Sequence, residues 1–262
     1  MANQSESRSE HFFVGYLRVP TSIRWFLSVV VLVLLAGAAG FAFALYLNQD
    51  VPPKAGYKNQ AKLSGVLQMD PHPMLHMPPS EQRPNGETIV LMRPGKFGVN
   101  EQKAAELDGK AVQVGGVYVT REDVRMFQVV GGGENQLRAA DPTVVGSMPA
   151  QWSVPTGESL GQYRLKGEIV DSKCFLGLMK PGEGKVHKGC AMLCLLGGVP
   201  PFFVSDKPAG GFSFYLLADT EGKSVTDEVL RYVADPVEVT GEVERRGNLL
   251  VFKIDPSTIE RL

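Results

Sequence analysis

Val112-Gln113-Val114-Gly115-Gly116 and, 125 residues later, Val237-Glu238-Val239-Thr240-Gly241 are the stretches that decide how this chain folds. Each alternates apolar and polar residues, the period of a half-buried strand, and each runs into a glycine. Onward, Val124, Met126, Phe127 and Val129 align at the same offset with Leu249, Val251, Phe252 and Ile254, and Arg246-Gly247-Asn248 supplies a turn within the later pair. Two hairpins of one pattern are expected. Upstream, Leu63-Ser64-Gly65-Val66-Leu67 matches Leu165-Lys166-Gly167-Glu168-Ile169 at an offset of 102, and an acidic residue, Asp70 or Asp171, follows each strand-like start. A short helical segment precedes each hairpin: Asn100 to Leu107, and Thr226 to Val233 with Thr226 as N-cap and acidic residues in its first turn.

Strand, further strands, helix and closing hairpin is the element order of a small five-stranded barrel of the OB type. The expected fold is therefore mainly β, with two OB-like barrels in tandem over residues 61–130 and 162–262. Residues 131–161, rich in glycine, alanine and proline, read as a linker or an extended edge. The two offsets differ by 23 residues (125 minus 102), so the second copy carries an insertion between its first strand and its final hairpin, and all three cysteines lie there.

Ahead of the barrels, Trp25 to Leu47 reads WFLSVVVLVLLAGAAGFAFALYL, 23 residues without a charge. At about 1.5 Å per residue such a helix covers the roughly 30 Å hydrocarbon core of a bilayer. Ala42-Phe43-Ala44 has the small-x-small form of a signal-peptide cleavage site, but the apolar run exceeds the usual signal-peptide core of roughly 7 to 15 residues, which favours a retained anchor. Arg8, Arg18 and Arg24 precede the span and Lys54, Lys58 and Lys62 follow it. The arginines nearest the span place residues 1–24 in the cytoplasm, residues 48–60 as a stalk, and the barrels in the periplasm of a bacterial inner membrane.

A formal net charge of -1 with 21% charged residues gives no long-range attraction to nucleic acid, and no basic groove with stacking aromatics accompanies the barrels. No phosphate-binding glycine loop, G-x-S-x-G elbow, H-E-x-x-H or C-x-x-C-H segment is present. The chemistry-bearing stretch is Asp171-Ser172-Lys173-Cys174, then His187-Lys188-Gly189-Cys190-Ala191-Met192-Leu193-Cys194 and Gly197-Gly198. On one helical turn Cys190 and Cys194 share a face at i,i+4, and His187, three residues earlier, joins it. With Cys174 brought in from the preceding loop the set becomes Cys3His, which suits tetrahedral zinc, or copper(I) with fewer ligands. The alternative is a disulfide between two of the cysteines that staples the insertion. Lys173, Lys185 and Lys188 would lower the thiol pKa values if they came close. A thiol oxidoreductase is disfavoured, because no C-x-x-C segment exists. A second, weaker set is His72, Met74 and His76 in Pro71-His72-Pro73-Met74-Leu75-His76-Met77, where alternation in an extended chain puts imidazole and thioether on one side, a pairing that suits copper. The competing reading makes these methionines ordinary apolar contacts.

Through Asp171, Cys174, His187, Cys190, Ala191, Cys194 and Gly198, the region from Leu165 to Leu262 resembles a group of bacterial exported proteins that share D-x-x-C…H-x-x-C-A-x-x-C…G followed by an OB-like barrel. That resemblance implies a fold and a ligand cluster rather than an activity. The architecture is also similar to the haem chaperone of cytochrome c maturation, an anchored periplasmic OB barrel that holds haem through a histidine in H-x-x-x-Y. The stretch to Ile259-Glu260-Arg261-Leu262 carries no such histidine, so haem carriage is not expected. The C-x3-C pair resembles the copper sites of cytochrome oxidase and its assembly factors, without the downstream histidine those families use. The expectation is a non-enzymatic accessory protein that binds copper or zinc or cycles its thiols. The alternative is a structural or assembly subunit of a membrane redox complex. Expected partners are the inner membrane, through residues 25–47, and a redox complex or metalloprotein, with no nucleic acid.

Overall fold

The computed structural model describes residues 19–48, 56–121, 124–130, 137–209 and 211–262; residues 1–18 of the expected tail, 49–55 of the stalk and 131–136 of the linker lie outside them. The chain divides into two compact units, Met1–Asp50 and Val51–Leu262. The first contains α1 (Thr21–Leu47), which has no buried residue. By length and composition it is the one helix among the described residues able to cross a membrane, and a signal sequence meets the same criteria. It starts four positions before Trp25, directly after Pro20, whose fixed φ suits the residue that leads into a helix.

The second unit is mainly β and consists of two closed five-stranded barrels. The first is built from β1 (Gly56–Gln68), β2 (Met74–Met77), β3 (Glu87–Met92), α2 (Glu101–Ala105), β4 (Ala111–Arg121) and β5 (Val124–Val129). Strands run β1-β2-β3-β5-β4 around the ring, β1 pairs with β4 to close it, and β3 and β5 are parallel. The connecting segment supplies β6 (Leu137–Ala139), which extends β4 at the edge, and α3 (Pro142–Ser147). The second barrel follows as β7 (Glu158–Asp171), α4 (Lys188–Leu196), β8 (Pro201–Ala209), β9 (Phe212–Asp219), α5 (Thr226–Val229), β10 (Pro236–Arg246) and β11 (Leu249–Ile254). Its ring is β7-β8-β9-β11-β10 with the same closure, and β12 (Glu260–Arg261) lies at the edge as β6 does.

The registers coincide at the aligned residues. Leu63 faces Val114 and Gly65 faces Val112, while Leu165 faces Val239 and Gly167 faces Val237. Gly116 faces Val129, as Gly241 faces Ile254. The glycine of the first strand has a steric cause in both barrels. A Cβ at Gly65 would lie 2.2 Å from the His76 carbonyl oxygen, and one at Gly167 would lie 2.0 Å from that of Val204, so only glycine lets the neighbouring strand pass so close. One local expectation is corrected. Asn100 caps α2 by accepting from the Lys103 amide, but Thr226 is the first residue of α5 rather than its N-cap, and the Ser224 hydroxyl accepts from the Thr226 amide instead.

Leu63, Leu75, Leu91, Val112 and Phe127 fill the first barrel, and Leu165, Ile169, Phe203, Tyr215 and Phe252 fill the second. A third apolar cluster joins them: Met74, Val90, Met92, Val119 and Met126 of the first barrel meet Val170, Phe202, Phe214, Leu216 and Val251 of the second. Its cause is visible in Ile89-Val90-Leu91-Met92, where alternate residues face the barrel interior and the neighbouring barrel, so the strand is apolar on both faces. Each such side chain contributes about 1.5–3 kcal/mol on full burial. The barrels therefore pack directly on one another.

Candidate metal centre

The connection between the first two strands differs sharply between the barrels. In the first it is residues 69–73; in the second it is 172–200, and this longer segment holds the cysteines. Leaving β7 at Asp171, the chain makes a tight turn, Cys174–Leu178, that carries Cys174 at its head. Phe175 holds this turn against the first barrel: the Arg121 guanidinium stacks 3.9 Å from its ring centroid and donates to its carbonyl at 2.9 Å. The chain then returns through a short turn, Lys185–His187, into α4, so that His187 precedes the helix and Cys190 and Cys194 project from it.

These elements bring the groups together as two triads that share Cys174. Ligand atoms of Cys174, His187 and Cys190 lie within 4.8 Å of one another, as do those of Asp171, Cys174 and Cys194. All three cysteines are free of disulfides. The cluster of Cys/His groups can hold a metal ion. Asp171 is fully buried and its two oxygens are both used: Oδ1 accepts the Cys174 amide at 2.8 Å, and Oδ2 lies 2.9 Å from His187 Nε2. With Nε2–H donating to that carboxylate, Nδ1 carries the imidazole lone pair, the arrangement in which a carboxylate orients a metal-binding histidine.

Cys174 and Cys194 differ in acidity. The hydrogen bond between Cys174 and Cys194 favours the thiol form of Cys174, and burial and the Asp171 charge push in the same direction, so its pKa is strongly raised. The same hydrogen bond lowers the pKa of Cys194, with the Lys96 charge adding to it against burial and Asp171. Of the two, Cys194 is therefore the thiol that gives up its proton more readily.

Lys96 comes from the first barrel. Its Nζ lies 2.7 Å from Cys190 Sγ and 3.6 Å from Cys194 Sγ, and the hydrogen bond to Cys190 raises its pKa. The loop between β3 and α2 that carries it is seated on the end of α4 by Gly98, whose amide donates to the Gly197 carbonyl at 2.8 Å. A Cβ on Gly197 would lie 1.7 Å from the Lys96 carbonyl oxygen, so that close approach requires glycine. Of the lysines singled out within the insertion, Lys173 donates to the Arg93 and Gly95 carbonyls, tying down the same loop, while its charge also couples to Cys174 and Cys194, and Lys188 pairs instead with Asp235 at 2.7 Å. Lys96 escaped sequence reasoning because 94 residues separate it from Cys190 and nothing local distinguishes it from other lysines.

No family model, curated protein or solved structure matches this chain.

The second set stands apart. Met74 is buried in the apolar cluster between the barrels. His76, also fully buried, lies 2.9 Å through Nδ1 from the Thr88 hydroxyl and 2.7 Å through Nε2 from Gln68 Oε1, so both ring nitrogens are engaged. His72 lines a cleft of about 690 Å³ between the barrels, together with Arg93, Glu101 and Glu228, and its Nε2 is 3.4 Å from the Ser224 hydroxyl. Burial lowers the pKa of His72 and His76 to about 4.

Proposed function

We propose that this chain is a non-enzymatic accessory protein, anchored by α1 in a bacterial inner membrane with its barrels in the periplasm, that binds a soft metal ion, copper or zinc, at Cys174, His187, Cys190 and Cys194. The observation that carries the reading is the convergence of three unpaired sulfurs, an imidazole and a buried carboxylate into two triads, each within 4.8 Å, that share Cys174. Thiolates and imidazole suit zinc and copper, whereas the carboxylate bonded to His187 orients the ring. Two cationic side chains near the cluster, Lys96 and Lys173, compensate the negative charge that deprotonated cysteines bring. The anchor reading rests on the length and composition of α1, and the periplasmic side rests on Arg18 and Arg24 just before the apolar run.

The runner-up is a structural or assembly subunit of a membrane redox complex whose cysteines form a staple. The full-length chain purified in detergent without reductant separates the two: bound metal is measured by elemental mass spectrometry, and free thiols are counted under denaturing conditions. Near-stoichiometric copper or zinc with three free thiols, lost when Cys190 and Cys194 are both replaced by serine, supports the metal site. One free thiol and no metal overturns it in favour of the staple.

A further inference from the structure

The turn that carries Cys174 at its head leads directly into a second sulfur, Met179. The Met179 thioether lies 3.1 Å from Cys190 Sγ, and Met179 is 46% exposed, a placement that apolar packing does not explain. Cys190 in turn belongs to the triad with Cys174 and His187. The ligand candidates therefore grade outward: Cys174, His187 and Cys194 are buried, Cys190 is half-buried, and Met179 is at the surface.

We propose that Met179 is a further ligand of this centre and makes it a copper(I) site, an inference that rests on the metal-binding reading above. A thioether is a soft, neutral donor that binds copper(I) and contributes little to zinc. It also needs no deprotonation, so it adds a bond without adding charge to a cluster already rich in thiols. Its position at the exposed edge makes it the first sulfur that an incoming ion meets, and Cys190, adjoining it, the next. When copper(I) passes to Cys190, a copper–sulfur bond forms, the thiol proton leaves to solvent and the oxidation state of copper does not change.

The test compares the full-length chain with its Met179→Leu variant in detergent under anaerobic conditions. Copper(I) is titrated against bathocuproine disulfonate and zinc against a chromophoric chelator, with thermal melts as a folding control. A loss of at least about tenfold in copper(I) affinity in Met179→Leu, with zinc affinity unchanged, supports the proposal. Equal copper(I) affinity in the two proteins overturns it and leaves the metal centre standing, as does a wild-type chain that takes zinc but no copper(I). Parallel loss of both metals assigns Met179 a purely structural role and overturns the selectivity. A wild-type chain that takes neither metal overturns the metal-binding reading itself.

Discussion

The two barrels share their ring order, their parallel pair of strands and the register of their closing glycines, yet one connection sets them apart. Residues 69–73 join the first two strands in one barrel, and 172–200 join them in the other. The short connection places its imidazole, His72, at the cleft between the barrels, with His76 engaged on the strand that follows; the long one gathers thiols around His187. The barrel supplies a frame and a single loop supplies the chemistry. The first barrel is not passive, however. Arg121 fixes the turn after Cys174, and Lys96 reaches the thiols themselves.

The most severe test of that comparison is Cys174→Ser. Cys174 is the one residue common to both triads, so its loss breaks both together, and bound metal is expected to fall to background in elemental analysis. A variant that retains stoichiometric metal would refute the shared-ligand geometry. The long connection should otherwise hold, because Phe175 and Leu176 remain packed between the barrels.

Acid tests the other side of the comparison. Burial holds His72 and His76 near 4 in the fold, against an ordinary value of 6.5, so between those values the unfolded chain takes up protons that the fold does not. Stability is therefore fully present above pH 6.5 and declines as pH falls toward 4, by about 3 kcal/mol at most for each histidine. Denaturant unfolding of the metal-free protein at pH 7 and pH 4.5 reads this directly. His76→Gln is expected to remove its share of the difference; an unchanged pH slope would show that His76 already accepts a proton in the folded state.

Much of the fold was legible. Gly65, Gly167, Gly116 and Gly241 lie at equivalent registers, and the strand alternation around them was visible in the chain. The i,i+4 relation of Cys190 and Cys194 on α4 was legible too, because helical geometry is local. What escaped was contact between the barrels. Ile89-Val90-Leu91-Met92 carries a signal, a strand apolar on both faces, but a run of four apolar residues does not name the surface its outer face packs on. Lys96 and Met179 carried none: a lysine in a glycine-bearing loop and a methionine after a turn acquire meaning only when tertiary structure sets them beside Cys190. Asp171 was noted in the motif, but its two hydrogen bonds, to Cys174 and His187, emerge only once β7 and α4 meet.

Asp171→Asn sharpens the role of that carboxylate. The amide removes the charge that orients His187 and leaves the buried position polar, so metal affinity is expected to fall roughly 10–100-fold, the range for partners that orient a ligand. Competition with a chelator of known affinity measures it, and a fall below threefold would mean that His187 is oriented by other contacts.

The smallest effect concerns the link between the barrels. Lys96→Met keeps the length and the apolar stem of the side chain while removing the ammonium beside Cys190 and Cys194. Without that positive charge Cys194 loses one of the contributions that lower its pKa, so protons compete better with a metal. Metal affinity at neutral pH is expected to drop by about tenfold or less, equivalent to about 1.4 kcal/mol, and the drop should shrink as pH rises and the thiols ionise unaided. Lys96→Arg, which keeps the charge on a longer side chain, should recover most of the affinity if charge is what matters. If Met and Arg weaken binding equally at every pH, the lysine acts by shape, seating its loop on α4, and the first barrel contributes packing to the site rather than electrostatics.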